Sequence, residues 1–162
     1  MSEAYIREEL DKIKTSDLLA NIGSSAGPQK KSDIFTWNVL IKGPKKSCYE
    51  NVLFKLLLKF PNNYPEDPPD IKFVTKIYHP NVSLDNGVIC VSSKSTDWNN
   101  NRSVITVIYS IYELLKNPNL SHGLNKEALL LYQNDFEGFK KKVEEFNKEN
   151  ALKVFNEKTD NI

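Results

Sequence analysis

The sequence predicts a single α+β domain spanning residues 1–162, in which a helix is followed by three or four antiparallel strands, a long loop and further helices. Three observations predict it. Apolar residues recur first at helical spacing, then in strict alternation, then at helical spacing again. The alternating runs are joined by short connections, as an antiparallel meander requires. No repeat or low-complexity tract divides the 162 residues, a length that buries roughly 70% of the unfolded surface without support from a metal or a disulfide.

Taken in order, "YIREELDKIK" places Ile6, Leu10 and Ile13 on one helical stripe with charges between them. "IGSSAGPQKKSD", from Ile22 to Asp33, has the Gly, Ser and Pro content of a connecting loop. "IFTWNVLIKG" alternates Phe35, Trp37, Val39 and Ile41 against polar or mixed neighbours, and "VLFKLLLKF" does the same with Val52, Phe54, Leu56, Leu58 and Phe60. "DIKFVT" gives a shorter third strand. Between the last two lies "FPNNYPEDPPD", whose Pro61, Pro65, Pro68 and Pro69 lack backbone donors and impose a stiff, irregular crossing.

The second half reads as helices. "SVITVIYSIYELLKNP" carries Val104, Val107, Ile108, Ile111, Leu114 and Leu115 at helical spacing, with Ser103 as N-cap and Pro118 past the end, which marks a buried central helix. "NKEALLLYQ" is a short helix. A longer one follows with Phe136, Phe139, Val143 and Phe146 on one stripe and an Asn134/Glu137 capping box.

Composition narrows the partners. Apolar residues make up 40% and charged residues 27%, as in ordinary globular proteins, and Lys plus Arg at 22 balance Asp plus Glu at 21. No global field advertises a nucleic acid or a membrane. A charged N-terminus without an apolar signal core, and only Cys48 and Cys90 as cysteines, lead to the expectation of a cytoplasmic or nuclear protein with reduced thiols.

The chemistry concentrates in "HPNVSLDNGVICVSS", His79 to Ser93. A zinc site would have to draw on Cys48, His79, Cys90 and His122, and no pair of these has the close spacing of usual zinc ligands. A cysteine hydrolase would use Cys, His and Asn together. Yet a proline directly after His79 builds a rigid turn, unsuited to swinging an imidazole onto a thiol. On the motif alone, Cys90 as a small buried hydrophobe and "DNG" as a plain turn also remain open.

The same residues resemble the ubiquitin-conjugating enzymes, which carry ubiquitin or a ubiquitin-like protein as a thioester. The resemblance rests on His79-Pro80-Asn81, Gly87, Ile89-Cys90, Trp98, Pro118-Asn119, "YPEDPP" from Tyr64 to Pro69, Trp37, and Gly43-Pro44 before Tyr49. It covers the chain from about residue 4 to about 150. It implies a four-stranded antiparallel sheet flanked by about four helices, with a short helical extension behind that core.

It further implies that Cys90 is the nucleophile, Asn81 the donor to the oxyanion and His79 a structural support of the turn. The expected partners are the modifier, an activating enzyme and a ligase, with the chain itself a monomer. No cofactor or metal is implied, since ATP is spent by the activating enzyme. Many members place one Asp two residues after the cysteine and another at the mouth of the site, where this chain has Ser92 and His122. A His at that gate is similar to a subset that passes ubiquitin mainly to a ligase's cysteine; His122 as the acceptor's base is the other reading. Glu66, Asn100 and Asn101 depart from residues common in ligase-binding members. "YPEDPP" and "LNKEA" resemble, over a short span, the conjugating enzyme of a non-ubiquitin modifier. A non-catalytic ubiquitin-binding variant is the alternative from another class, and such variants lack the cysteine.

Overall fold

The computed structural model describes residues 2–89, 98–99, 103–121 and 123–150. Its elements run α1 (Ser2–Lys14), α2 (Asp17–Asn21), β1 (Ser25–Lys30), β2 (Asp33–Lys42), β3 (Leu53–Lys59), β4 (Asp70–Phe73), α3 (Val104–Lys116), α4 (Lys126–Asn134) and α5 (Phe136–Asn150). The strands form one antiparallel sheet in sequence order. The α+β class and the four-stranded sheet are as expected.

Alternation sets the core because register and period coincide. Trp37 pairs with Leu58, Val39 with Leu56 and Ile41 with Phe54, while Leu58 and Leu56 pair onward with Ile71 and Phe73. All eight side chains are buried, on the inner face of the sheet. Val104, Ile108, Ile111 and Leu115 of α3 join the same cluster, as do Ile6 of α1 and Phe139 and Val143 of α5. Ser103 caps α3 in a capping box with Thr106.

Three expectations need correction. The Gly/Ser/Pro stretch after the first helix is not only a loop: its centre is strand β1. It lies at the sheet edge, where Pro28 can stand opposite Trp37 without breaking an inner ladder, and the register shifts between Pro28 and Lys30. Between α1 and β1 lies the one-turn helix α2, capped by Ser16, so the described residues hold five helices. The last helix is capped by Asp135, whose Oδ1 accepts from Gly138 N–H at 3.0 Å, rather than by Asn134, which ends α4. On that helix Phe136 is exposed and Phe146 half-buried, so only Phe139 and Val143 of the predicted stripe are buried. The predicted extension beyond Asn150 lies outside the described residues.

Candidate active site

Residues 77–82 leave β4 and cross the interior, every one of them buried. A buried irregular segment must pair its backbone groups inside the protein, and three carbonyls of this one visibly do. Tyr49 Oη donates to Tyr78 O at 2.6 Å, Asn125 N–H to Pro80 O at 3.1 Å and Val82 N–H to His79 O at 3.2 Å. The partners come from the β2–β3 connection, from the residue that caps α4, and from the turn itself.

His79 has no exposed surface. The Asn81 N–H donates to its Nδ1 at 3.0 Å, so Nδ1 carries the lone pair and Nε2–H donates to Leu114 O at 2.9 Å. Burial pushes the imidazole down to about 4, against a smaller opposing effect of the Leu114 carbonyl. The ring is therefore neutral at neutral pH with both nitrogens committed. It can neither ligate a metal nor shuttle a proton without breaking the turn.

Asn81 is equally buried, and its amide grips the chain just past α3 from both sides. Nδ2 donates to Asn119 O at 2.7 Å and Oδ1 accepts from Asn119 N–H at 2.8 Å. This fixes the amide's orientation, since only one assignment of oxygen and nitrogen satisfies both bonds. Side-chain nitrogen and backbone of Asn81 are thus set by α3 through Leu114 and Asn119.

The next stretch folds back on β4. Val82 pairs with Ile89 and Lys72 with Val88, while Phe73 N–H donates to Gly87 O at 2.9 Å. Gly87 has φ of 73°, and a Cβ there would stand 2.1 Å from Phe73 O, so only glycine allows this flap to close. The buried Ile89 is thereby held beside Val82, one residue past Asn81. Cys90 follows Ile89 directly in sequence and lies, with Ser92 and His122, outside the described residues. The structure brings His79 and Asn81 together; it leaves the placement of those three aside.

Other family-matching residues support the surroundings. Trp98 Nε1–H donates to Pro65 O at 2.9 Å beside Tyr64, tying Trp98 to the proline-rich crossing. Cys48 takes no part in the turn. It lines a cavity of about 940 Å³ between the β2–β3 connection and α5, to which none of residues 77–82 contributes. Burial pushes its thiol up, which makes it a poor nucleophile.

Sequence reasoning missed several of the turn's supports. Leu114 acts through its carbonyl, which no side-chain pattern reveals. Tyr49 and Asn119 lie in stretches that carried the family resemblance, and Asn125 precedes a helix as a cap would. Their partners, 29 to 45 residues away in sequence, carry no local signal.

A family model described as ubiquitin-conjugating enzyme matches residues 6–147. The chain belongs to the ubiquitin-conjugating enzyme family. It is 42% identical over 115 residues to the probable ubiquitin-conjugating enzyme E2 L460 of Acanthamoeba polyphaga mimivirus, covering 70% of this chain and 72% of that protein. It is also 42% identical over 107 residues to the ubiquitin-conjugating enzyme E2 pex4 of Dictyostelium discoideum, covering 66% and 72%. A crystal structure of a putative ubiquitin conjugating enzyme from Plasmodium yoelii superposes with a TM-score of 0.83 at 33% identity, over 93% of this chain and 95% of that one. Membership places the chain among transferases, and the resemblance read from the His-Pro-Asn motif is borne out.

Proposed function

We propose that the chain accepts ubiquitin, or a ubiquitin-like protein, from its activating enzyme as a thioester on Cys90 and passes it to a ligase cysteine or a substrate lysine. The observation that carries this reading is the preset His79–Asn81 turn in a chain of this family, with Ile89 fixed beside it and Cys90 next in sequence.

In the loading step the Cys90 thiolate attacks the carbonyl carbon of the activating enzyme's thioester. The tetrahedral oxyanion collapses and expels the activating enzyme's thiolate, so one thioester replaces another. In the delivery step the acceptor's sulfur or amine attacks the Cys90 thioester and Cys90 leaves as thiolate. Sulfur is both a competent nucleophile and a good leaving group near neutral pH, so no triad is needed. In the delivery step, Asn81 Nδ2 serves as the neutral donor to the oxyanion. His79 keeps Asn81 aimed and transfers no proton. A lysine acceptor must first lose a proton, and Ser92 and His122 are the residues we assign to that side.

On this reading the partners are the modifier, the activating enzyme and a ligase, the chain works as a monomer in cytoplasm or nucleus, and it holds no cofactor or metal of its own. Incubation with activating enzyme, ATP and ubiquitin should yield an adduct that thiol reductant releases. Cys90→Ser should yield an ester that resists it, and Cys48→Ser should behave as wild type. Absence of any adduct across a panel of purified modifiers would refute the reading; the panel also identifies the cargo.

A further inference from the structure

The amino side of the turn is held by a link for which the reaction above has no use. Tyr78, next to His79, packs its ring against Phe139 and Phe146 of α5, with centroids 6.1 and 5.9 Å away. Its hydroxyl reaches out between α4 and α5 and donates to Glu127 Oε1 at 3.0 Å. Lys142 of α5 pairs with the same carboxylate oxygen and holds its ammonium 5.2 Å from the centre of the Tyr78 ring. Lys142 first, and Tyr78 next, hold the Glu127 carboxyl below its usual range, which keeps it an ionised acceptor.

Filling the interior does not require this hydroxyl. A phenylalanine would occupy the same space between Phe139 and Phe146, and the Glu127–Lys142 pair is too exposed to add much to stability. What the hydroxyl adds is direction. Tyr78 is then fixed at three points: its carbonyl by Tyr49, its ring by α5 and its tip by Glu127. In the same first turn of α4, the Asn125 N–H holds Pro80 O on the other side of His79. The start of α4 therefore grips the residues on both flanks of the imidazole.

We propose that Glu127, acting through the Tyr78 hydroxyl and neutralised by Lys142, is a positioning residue for the transfer reaction: it sets the angle at which the His79–Asn81 turn presents the Asn81 amide. The assignment rests on the function proposed above. A carboxylate outside the turn thereby controls a donor inside it, and α4 and α5 become part of the transfer apparatus rather than a cover for the sheet.

The test uses the full chain with Tyr78→Phe, Glu127→Ala, Glu127→Gln and the Tyr78→Phe/Glu127→Ala double variant. Single-turnover discharge of the preformed thioester onto lysine should slow about threefold to tenfold in Tyr78→Phe and Glu127→Ala, because a misaimed oxyanion donor costs rate steeply. The loss should fall on the rate at saturating lysine, with the half-saturating concentration, the loading rate and the melting temperature near wild type. Glu127→Gln, which keeps an acceptor for the hydroxyl, should restore most of the rate. The double variant should be no slower than either single one, as expected of one shared link. In the uncharged proteins, the Asn81 side-chain amide signals in a nitrogen–proton NMR spectrum should shift in Tyr78→Phe and Glu127→Ala and return in Glu127→Gln. Unmoved Asn81 signals overturn the proposal whether or not the chain can be loaded. Wild-type discharge rates in the variants overturn it too, as do losses in proportion to loading and melting temperature. A wild-type chain that takes no modifier overturns the reaction reading instead, and the Asn81 signals then decide the link alone.

Discussion

Residues 77–82 and the described residues of 117–124 meet at the clamp between Asn81 and Asn119, and away from it they are built in opposite ways. On the first side every residue is buried, and the carbonyls of Tyr78, His79 and Pro80 all accept a hydrogen bond inside the protein. On the second side, past Asn119, Leu120 and Leu124 are 47% and 45% exposed, and Ser121 N–H bonds back to Asn119 Oδ1. A buried turn whose carbonyls are held in this way cannot adapt to a partner without breaking bonds whose loss is costly. An exposed loop with apolar tips can. The difference teaches where each part of the proposed function resides: the donor of the oxyanion bond is set before any acceptor arrives, and the choice of acceptor falls to the exposed side.

The sharpest break of this comparison attacks the buried side through pH. His79 is held near 4 when folded, against about 6.5 when unfolded. Its contribution is present in full above pH 6.5, where both states are neutral. As pH falls from 6.5 toward 4 the unfolded chain takes up a proton that the folded one refuses, so stability declines, by about 3 kcal/mol in all. Denaturant titrations at pH 7.5, 5.5 and 4 should show wild type losing about that much more than His79→Gln. Equal losses would mean that His79 titrates normally and that the turn is less closed than its burial indicates.

The next break removes the donor. Asn81→Ala should slow transfer to lysine roughly 10²-fold in single turnover, the usual effect of losing one oxyanion donor, while a reductant-labile adduct still forms. An unchanged rate would leave Asn81 with only its clamp on Asn119. Loss of that clamp by itself should show as lower stability, so melting temperature separates the two.

How far the sequence reveals these two sides follows from the range of the forces involved. The inner sheet was legible because alternation is a local pattern and its register is dictated by burial: Trp37, Val39, Ile41, Phe54, Leu56 and Leu58 all face as read. Strand β1 was not, since "SAGPQK" carries turn composition and becomes a strand only by pairing with β2, a long-range contact that overrides local preference. The α5 cap was misplaced by one residue because Asn134 and Asp135 are adjacent and equally able to cap. In the turn, His79 and Asn81 stood out as a motif, while the parts played by Leu114, Asn119 and Tyr49 did not, since those roles arise only when chain segments distant in sequence meet. Function was legible there through the family pattern and not through spacing, which by itself left a turn, a hydrolase and a metal site all open.

The gentlest test probes Ser92 and His122, which lie outside the described residues and which we assign to the acceptor in the proposed function; the effect should be smallest there, because a change on the acceptor leaves the oxyanion donor in place. By the resemblance read from the sequence, Ser92 and His122 take the places of carboxylates, which on the proposed function would help an approaching ammonium lose its proton and hold it in place. A neutral hydroxyl and an imidazole do this less well near neutral pH, whereas a cysteine acceptor attacks as thiolate and gains nothing from a nearby anion. The loaded enzyme should therefore discharge faster onto free cysteine than onto free lysine. A Ser92→Asp/His122→Asp double variant should gain several-fold toward lysine at pH 7.5 and little or nothing toward cysteine. If the gain toward cysteine matches that toward lysine, the carboxylates act on loading or folding and not on the acceptor. If wild type already prefers lysine, acceptor choice is not made at these positions, and the exposed Leu120 and Leu124, which flank His122 in sequence, become the next residues to exchange.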